Sequence, residues 1–428
     1  MAIGSQQPTF VGRPPGVGAA TDLESAYDVE AVRAEFPALR EGAAHFDGPG
    51  GSQTPSIVAD TVAQTLRSAI ANRGRVTLAE RRADDIVTGA RSAMADLLGA
   101  DERAVVFGRS MTQLTFDFAR TLAKTWKPGD EVVVTRLDHD ANIRPWVHAA
   151  TAVGATVRWV DFDPSTGELR PDDVGAVLSP RTRLVALTAA SNLIGTRPAV
   201  AEISRLVHDV GALLYVDGVH AAAHFSIDVA ALGADLFACS PYKFFGLHCG
   251  VLAGRFDVLE YMSPDKLLPS SDAGPERFEF GTLPYELLAG TTAAVDFIAS
   301  LAPRPGGSRR DRLVAAMTSI EAYEDRLRHE LESRLSVLPG IVSYSRAASR
   351  TPTLLVSLDE KRSTDVQAHL AERAVNAPAG SFYAVEASRA MGLGDTGAVR
   401  VGLAPYTNAS DIDRLVEGLT DFAQATSV

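Results

Sequence analysis

Lys243 lies in the stretch SPYKFFG, among aromatic and small residues, just after the apolar run LFACS. A lysine at the edge of a pocket loses solvation and drops in pKa, which frees its amine for Schiff-base chemistry. A lysine beside a turn is otherwise an ordinary solvated side chain. Asp217 shifts that balance, because it sits 26 residues upstream at the end of another apolar run, ALLYVDG. A carboxylate at the end of a buried strand needs a partner, since an unpaired buried charge is costly. A structural hydrogen bond or the cationic nitrogen of a ligand would each serve.

Further polar groups follow other apolar runs, where open α/β sheets bind ligands. Gly108-Arg109-Ser110-Met111-Thr112 opens a helical pattern, Asp138-His139-Asp140 follows EVVVTR, and Ser191-Asn192 follows RLVALTAA. His220 lies just past Asp217, and Ser240 and Tyr242 immediately precede Lys243. The pyridinium nitrogen of pyridoxal 5'-phosphate is a partner of the kind Asp217 needs, and lysine with aspartate is that cofactor's usual requirement. His139 either stacks on a cofactor ring or caps the next helix. Ser110, Met111 and Thr112 begin a helix, whose N–H groups and hydroxyls hold a phosphate or, for Ser110, cap the helix. Asn192 and His220 are candidates for hydrogen bonds to the cofactor's phenolic oxygen.

Positioning these groups requires a sheet. Short β-branched runs occur at 104–108, 131–136, 156–162, 183–190, 212–218, 236–240 and 250–255, mostly separated by helical patterns. Continuous apolar strands alternating with helices indicate a mostly parallel sheet covered on both faces. The last two runs are too close for a crossover helix, so the final strand should be antiparallel. After about residue 300 the pattern changes to a long amphipathic helix around 310–337 and strands near 341–345, 353–358 and 399–404, spaced for an antiparallel sheet. The expected fold class is therefore α/β: a large domain with a seven-stranded, mostly parallel sheet between helices, and a smaller α+β C-terminal domain. Boundaries are expected at 1–27 for a flexible N-terminal arm, 28–300 for the large domain and 301–428 for the small one, with the first part of the large domain able to pack on the small one.

The composition fits a soluble globular protein. Of 428 residues, 46% are hydrophobic and 22% charged, and the net charge of −12 argues against nucleic-acid or anionic-membrane partners. No run of about 18 apolar residues exists to span a membrane, and the first residues do not read as a signal peptide, so a cytoplasmic location is expected. The only two cysteines, Cys239 and Cys249, build neither a disulfide framework nor a metal site.

The motifs HDANIRPW (139–146), SNLIGT (191–196), YVDGVHAAAH (215–224), SPYKFFGLHCGVLAGR (240–255), RFEFGT (277–282) and VRVGLAPYTNASDIDRL (399–415) occur in one order along the chain. In this the chain resembles the fold type I pyridoxal-phosphate enzymes of the class V aminotransferase and cysteine desulfurase group. The resemblance implies that Lys243 forms the Schiff base, Asp217 pairs with the pyridinium nitrogen and His139 stacks on the ring. It implies that Asn192 and His220 face the phenolic oxygen, although the family often has Gln at the latter position. Thr112, Ser240 and Tyr242 match phosphate contacts, with Tyr242 where desulfurases commonly carry His. Thr282 matches a residue that reaches the cofactor of the neighbouring subunit, which implies a homodimer. Arg400 matches the arginine that clamps the α-carboxylate of an amino-acid substrate.

One departure stands out. Desulfurases need a thiolate in the small domain to take sulfur as a persulfide, and the corresponding stretch, AVNAPAGSFYAVEASRAMGL (374–393), has no cysteine. Ser381, Phe382 and Tyr383 occupy that region, where they either line the substrate side-chain pocket or pack within the small domain. The expected reaction is β-elimination on an L-amino acid, of the C–S lyase type, without sulfur stored on the protein. Transamination or epimerisation is the alternative, and an inactive cofactor-binding partner a third reading that Lys243, Asp217 and Arg400 count against.

Overall fold

The computed structural model describes residues 27–304, 306–359 and 361–425. The expected N-terminal arm thus lies, but for Tyr27, outside the described residues. The strands are β1 (Ala44–His45), β2 (Val105–Gly108), β3 (Glu131–Thr135), β4 (Thr156–Val160), β5 (Thr182–Thr188), β6 (Leu213–Asp217), β7 (Leu236–Cys239), β8 (Gly250–Gly254), β9 (Ile341–Ser343), β10 (Thr353–Leu358), β11 (Val375–Asn376), β12 (Ala379–Gly380) and β13 (Ala398–Gly402).

The central sheet has seven strands in the order β2-β8-β7-β6-β5-β3-β4. Strands β3 to β7 pair in parallel, whereas β8 is antiparallel to both β7 and β2. Each strand coincides with one of the seven apolar runs, and the short β7–β8 connection produces the antiparallel turn-back that its length demands. Residues of β3, β7 and β8 are buried throughout because helices cover both faces, while the edge strand β4 alternates. Phe107, Val133, Val185 and Val216 point to one core and Val106, Val132, Leu184 and Tyr215 to the other, following the two-residue period of a strand.

The smaller sheet has the order β12-β13-β10-β9, all antiparallel. Its core includes Ala44 and Phe46 from the N-terminal end, where β1 pairs in parallel with β11. One helix, Arg309–Ser336, joins the two bodies. Ser308 and Asp311 form a capping box at its start, and its 28 residues reach about 42 Å. Leu313, Ala316 and Ile320 on its first half pack into the large core, whereas Leu327, Leu331 and Leu335 pack into the small one.

The carboxyl end of β6 depends on a glycine. A Cβ on Gly218 would stand 1.8 Å from Cζ of Phe237 on β7. The ring therefore closes the core directly under Asp217. Gly218→Ala should lower stability by about 1–3 kcal/mol through overpacking; urea unfolding with an unchanged midpoint would show that the ring can move aside.

Candidate active site

The ends of β2, β3, β5, β6 and β7 open on a cavity of about 640 Å³, within the range of small-molecule sites. Ser110, Met111, Thr112, His139, Asn192, Asp217, His220, Ser240, Tyr242, Lys243, Tyr383 and Arg400 all line it. Two expected site residues lie elsewhere. Ser381 does not line the cavity, its carbonyl accepting the N–H of Ala384 (2.8 Å), and Phe382 supplies the wall in its place. Thr282 is exposed and outside the cavity of its own chain.

Lys243 ends a 3-10 turn begun by Pro241, directly after β7. Its Nζ donates to the carbonyl of Pro49 (2.5 Å) and lies 4.7 Å from the Tyr242 ring centre. Burial, reinforced by the charge of Arg400 and opposed by that of Asp217, lowers its pKa to about 7. Asp217 accepts the N–H of Val219 (2.9 Å) through Oδ1, and burial raises its carboxyl to about 6. Among the described residues no hydrogen bond engages its other oxygen, Oδ2, which leaves it open to a ligand cation.

Beneath Asp217 lies a buried chain of polar groups. Trp146 Nε1 donates to Asn142 Oδ1 (3.1 Å), and Asn142 Nδ2 donates to Asp138 Oδ1 (2.6 Å). Thr135 donates to the other Asp138 oxygen. Burial pushes the Asp138 carboxyl to about 8, and the nearby Asp217 charge adds to this. Burial thus pushes both carboxyls upward, Asp138 the further of the two despite the hydrogen bonds it accepts from Thr135 and Asn142.

His139 caps the next turn and faces the cavity. Its Nδ1 accepts the N–H of Ala141 (3.0 Å), capping the 140–142 turn, and its ring lines the cavity. Burial, with Lys243 and Arg400 adding, lowers its pKa to about 4, so the ring is neutral. His220 Nε2 is shared between the hydroxyls of Thr351 and Thr353, each 3.0 Å away, which leaves only Nδ1 for a ligand. Asn192 Oδ1 is buried without a partner while its Nδ2 donates to the carbonyl of Phe382 (3.0 Å).

At the end of β2, Ser110 Oγ accepts the N–H of Gln113 (3.1 Å), and the first intrahelical bond runs from Leu114 to Ser110. The amides of Met111 and Thr112 are left open at the start of a 13-residue helix, as an anion site requires. Gly250 permits this arrangement, since a Cβ there would stand 2.2 Å from the Ser110 carbonyl carbon.

Arg400 sits on β13 opposite Leu355 and is 3% exposed. Its Nη1 donates to the carbonyl of Asn192 (3.0 Å), its guanidinium carbon lies 3.7 Å from the Phe382 ring centre, and its Nε has no partner. Burial lowers its pKa to about 9, with Asp47 opposing, so it is cationic at neutral pH. A buried cation with one open edge calls for an anion, and a carboxylate matches that fork. Phe382 and Tyr383 both have left-handed backbones, at φ 51° and 60°, each costing about 1–3 kcal/mol that neighbouring contacts must offset.

Pro49, Gly50, Phe116 and Arg144 also line the cavity and were not among the expected site residues. The Gly-Pro cluster DGPGGS (47–52) was the available signal for the first two. Nothing in the local pattern marks Phe116, which lies within the helix that Ser110 opens.

A family profile described as aminotransferase class-V matches residues 44–415. The chain belongs to that family. It is 35% identical to an uncharacterized protein of Mycobacterium tuberculosis, over 92% of this chain and 99% of that one. It is 30% identical to the aminotransferase-like protein FGM3 of Gibberella zeae and 30% identical to a cysteine desulfurase of Klebsiella pneumoniae, in each case over 92% of this chain and 98% of the relative. The crystal structure of the Escherichia coli cysteine desulfurase CsdA superposes with a TM-score of 0.82 at 27% identity, covering 94% of this chain and 99% of that one. Members of this family depend on pyridoxal 5'-phosphate, and the unpartnered oxygen of Asp217, the open amides at Met111 and Thr112 and the part-neutral Lys243 amine fit that group.

The depressed pKa of Lys243 has a kinetic signature. Its neutral, nucleophilic form dominates above about pH 7, whereas an unperturbed lysine gains amine up to about pH 10. Capture of pyridoxal phosphate by cofactor-free protein, followed by visible absorbance, should accelerate through pH 7 and level off by about pH 8. A rate still climbing tenfold between pH 8 and 10 would contradict the burial argument.

Proposed function

We propose that the protein is a pyridoxal-phosphate-dependent lyase that breaks a Cβ–S bond of an L-amino acid and releases the sulfur fragment free, as a thiol or sulfide. The observation that carries this reading is the placement of its only two cysteines. Cys239 is 0% exposed at the end of β7 and Cys249 is 2% exposed just before β8, and neither lines the cavity. Burial raises both thiols, Cys249 to about 11, so neither offers a thiolate to accept sulfur. A reaction that hands sulfur to the protein has no acceptor at this site.

Lys243 would carry the cofactor, Asp217 its ring nitrogen, and Asn192 and His220 Nδ1 its phenolic oxygen. His139 would cover the ring face, and Ser110, Met111, Thr112, Ser240 and Tyr242 would take the phosphate. Bound there, the cofactor supplies an electron sink for a substrate carbanion. Arg400 would hold the substrate carboxylate and so orient the Cα–H bond. Lys243 Nζ, uncharged for part of the population at neutral pH, then takes the Cα proton and can return it, while the Cβ–S electron pair leaves with sulfur. Tyr383 is 74% exposed at the cavity mouth, which supports a role beside the leaving group rather than as a second base at Cα.

A homodimer belongs to this reading. Thr282 shares its exposed stretch with Phe280, 54% exposed, and Leu267 and Leu268 stand out nearby in sequence at 70% and 97%. Such a surface supports burial against a second copy, with Thr282 reaching the neighbour's cofactor. Sedimentation should give a dimer mass that falls on Phe280→Asp substitution; a monomeric parent would remove this part of the reading. Two unpaired buried thiols also suit a reducing, cytoplasmic location.

The reaction is tested with holoenzyme, L-cysteine and thioether amino acids, assaying pyruvate and released thiol or sulfide together. The expected result is equimolar pyruvate and sulfur product, retained in the Cys239→Ala/Cys249→Ala double variant and lost by at least about a thousandfold in Lys243→Ala. Conversion of the cofactor to its amine form without pyruvate would establish transamination instead.

A further inference from the structure

The segment carrying Phe382 is fastened to the large domain by bonds that no part of the proposed chemistry uses. Glu386, in the first turn of the short helix Val385–Ala390, is largely buried, with 12% of its side chain exposed. It bridges two arginines of the large domain, accepting from Arg136 Nη1 (2.8 Å) through one oxygen and from Arg144 Nη2 (2.6 Å) through the other. Arg144 is held in turn by Asp140 (2.7 Å), and both arginines lie over the Trp159 ring of edge strand β4, at 4.7 and 5.9 Å. Asp140 also donates its backbone N–H to the carbonyl of Tyr383 (2.7 Å).

These contacts hold a left-handed Phe382-Tyr383 pair whose Phe382 ring is one face of the Arg400 site. With that face covered, a carboxylate would meet the guanidinium through its N–H edge, where Nε is open. We propose that Glu386 is a positioning residue that, by pinning Phe382 beneath Arg400, sets how tightly the protein holds the α-carboxylate of its substrate. This rests on the reading of Arg400 as the carboxylate clamp. Glu386 itself stands apart from the cavity lining and touches no reacting group.

The test compares two probes of the holoenzyme, L-alanine and ethylamine, which share an amine but differ in the carboxylate. Binding is followed as the concentration that half-shifts the visible spectrum, alongside cofactor affinity. Glu386→Gln should weaken L-alanine about tenfold and leave ethylamine within about twofold, with cofactor affinity unchanged. Phe382→Leu, which leaves the ion pairs intact, should produce the same selective loss, and the double variant should add nothing further, since both act through one contact. Equal weakening of both probes, or additive losses, would overturn the pin and leave the clamp standing. Wild-type protein that binds the two probes alike would overturn the clamp, and the pin with it.

Discussion

Desolvation of three ionisable groups at one cleft is the constraint on which the structure depends. Lys243, Asp217 and Arg400 are all largely withdrawn from water, and each is shifted toward its neutral form chiefly for that reason. Such groups destabilise a fold unless they are paired, neutralised or reserved for a ligand. Here all three solutions occur. Lys243 is partly neutralised and leans on the Pro49 carbonyl, and burial pushes Asp138, behind Asp217, toward its neutral form. Arg400 gives one edge to Asn192 and one face to Phe382 and keeps another edge open. The stability forgone by leaving polar atoms open is what a cofactor and a carboxylate substrate would recover on binding.

Holding that arrangement requires that the two sheets not drift. Asp217 ends a strand of the central sheet and Lys243 ends the turn that follows another, whereas Arg400 belongs to the smaller sheet. The helix Arg309–Ser336 is buried in both cores and fixes the angle between them, since sliding it would strip leucines from one core or the other. Across the cleft itself, the Thr351 and Thr353 hydroxyls of the small domain meet His220 of the large one. A site shared between two bodies is thus built with the rigidity of one.

Much of this was legible in the sequence because it rests on long, strongly patterned segments. The seven apolar runs became the seven strands, with β8 reversed as its short connection demanded, and the polar residues after them lie together at one edge of the sheet. What escaped lacks periodicity or is set by distant partners. The two-residue strands β1 and β11 are too short to alternate, yet they tie Ala44 to Val375. Ser381 and Phe382 are adjacent, and Phe382, whose backbone is left-handed, is the one that faces the cavity. Asp138 looked like one more carboxylate, and its raised pKa follows from complete burial and the nearby Asp217 charge, against the hydrogen bonds of Thr135 and Asn142, which no local pattern encodes.

The segment 380–386 also bears on how chemistry changes on a retained fold. A segment that ferries a group on its own thiol must move between donor and acceptor, and stiffness would defeat it. Without a thiol in 374–393 that demand disappears. Contacts that would hinder a carrier, such as the Glu386 bridge to Arg136 and Arg144 and the Tyr383 carbonyl on Asp140, then become assets, because they offset backbone strain and hold an aromatic wall against Arg400. On the proposed reading, a segment without a thiol and with a fixed wall is consistent with releasing the product to solvent rather than onto the chain.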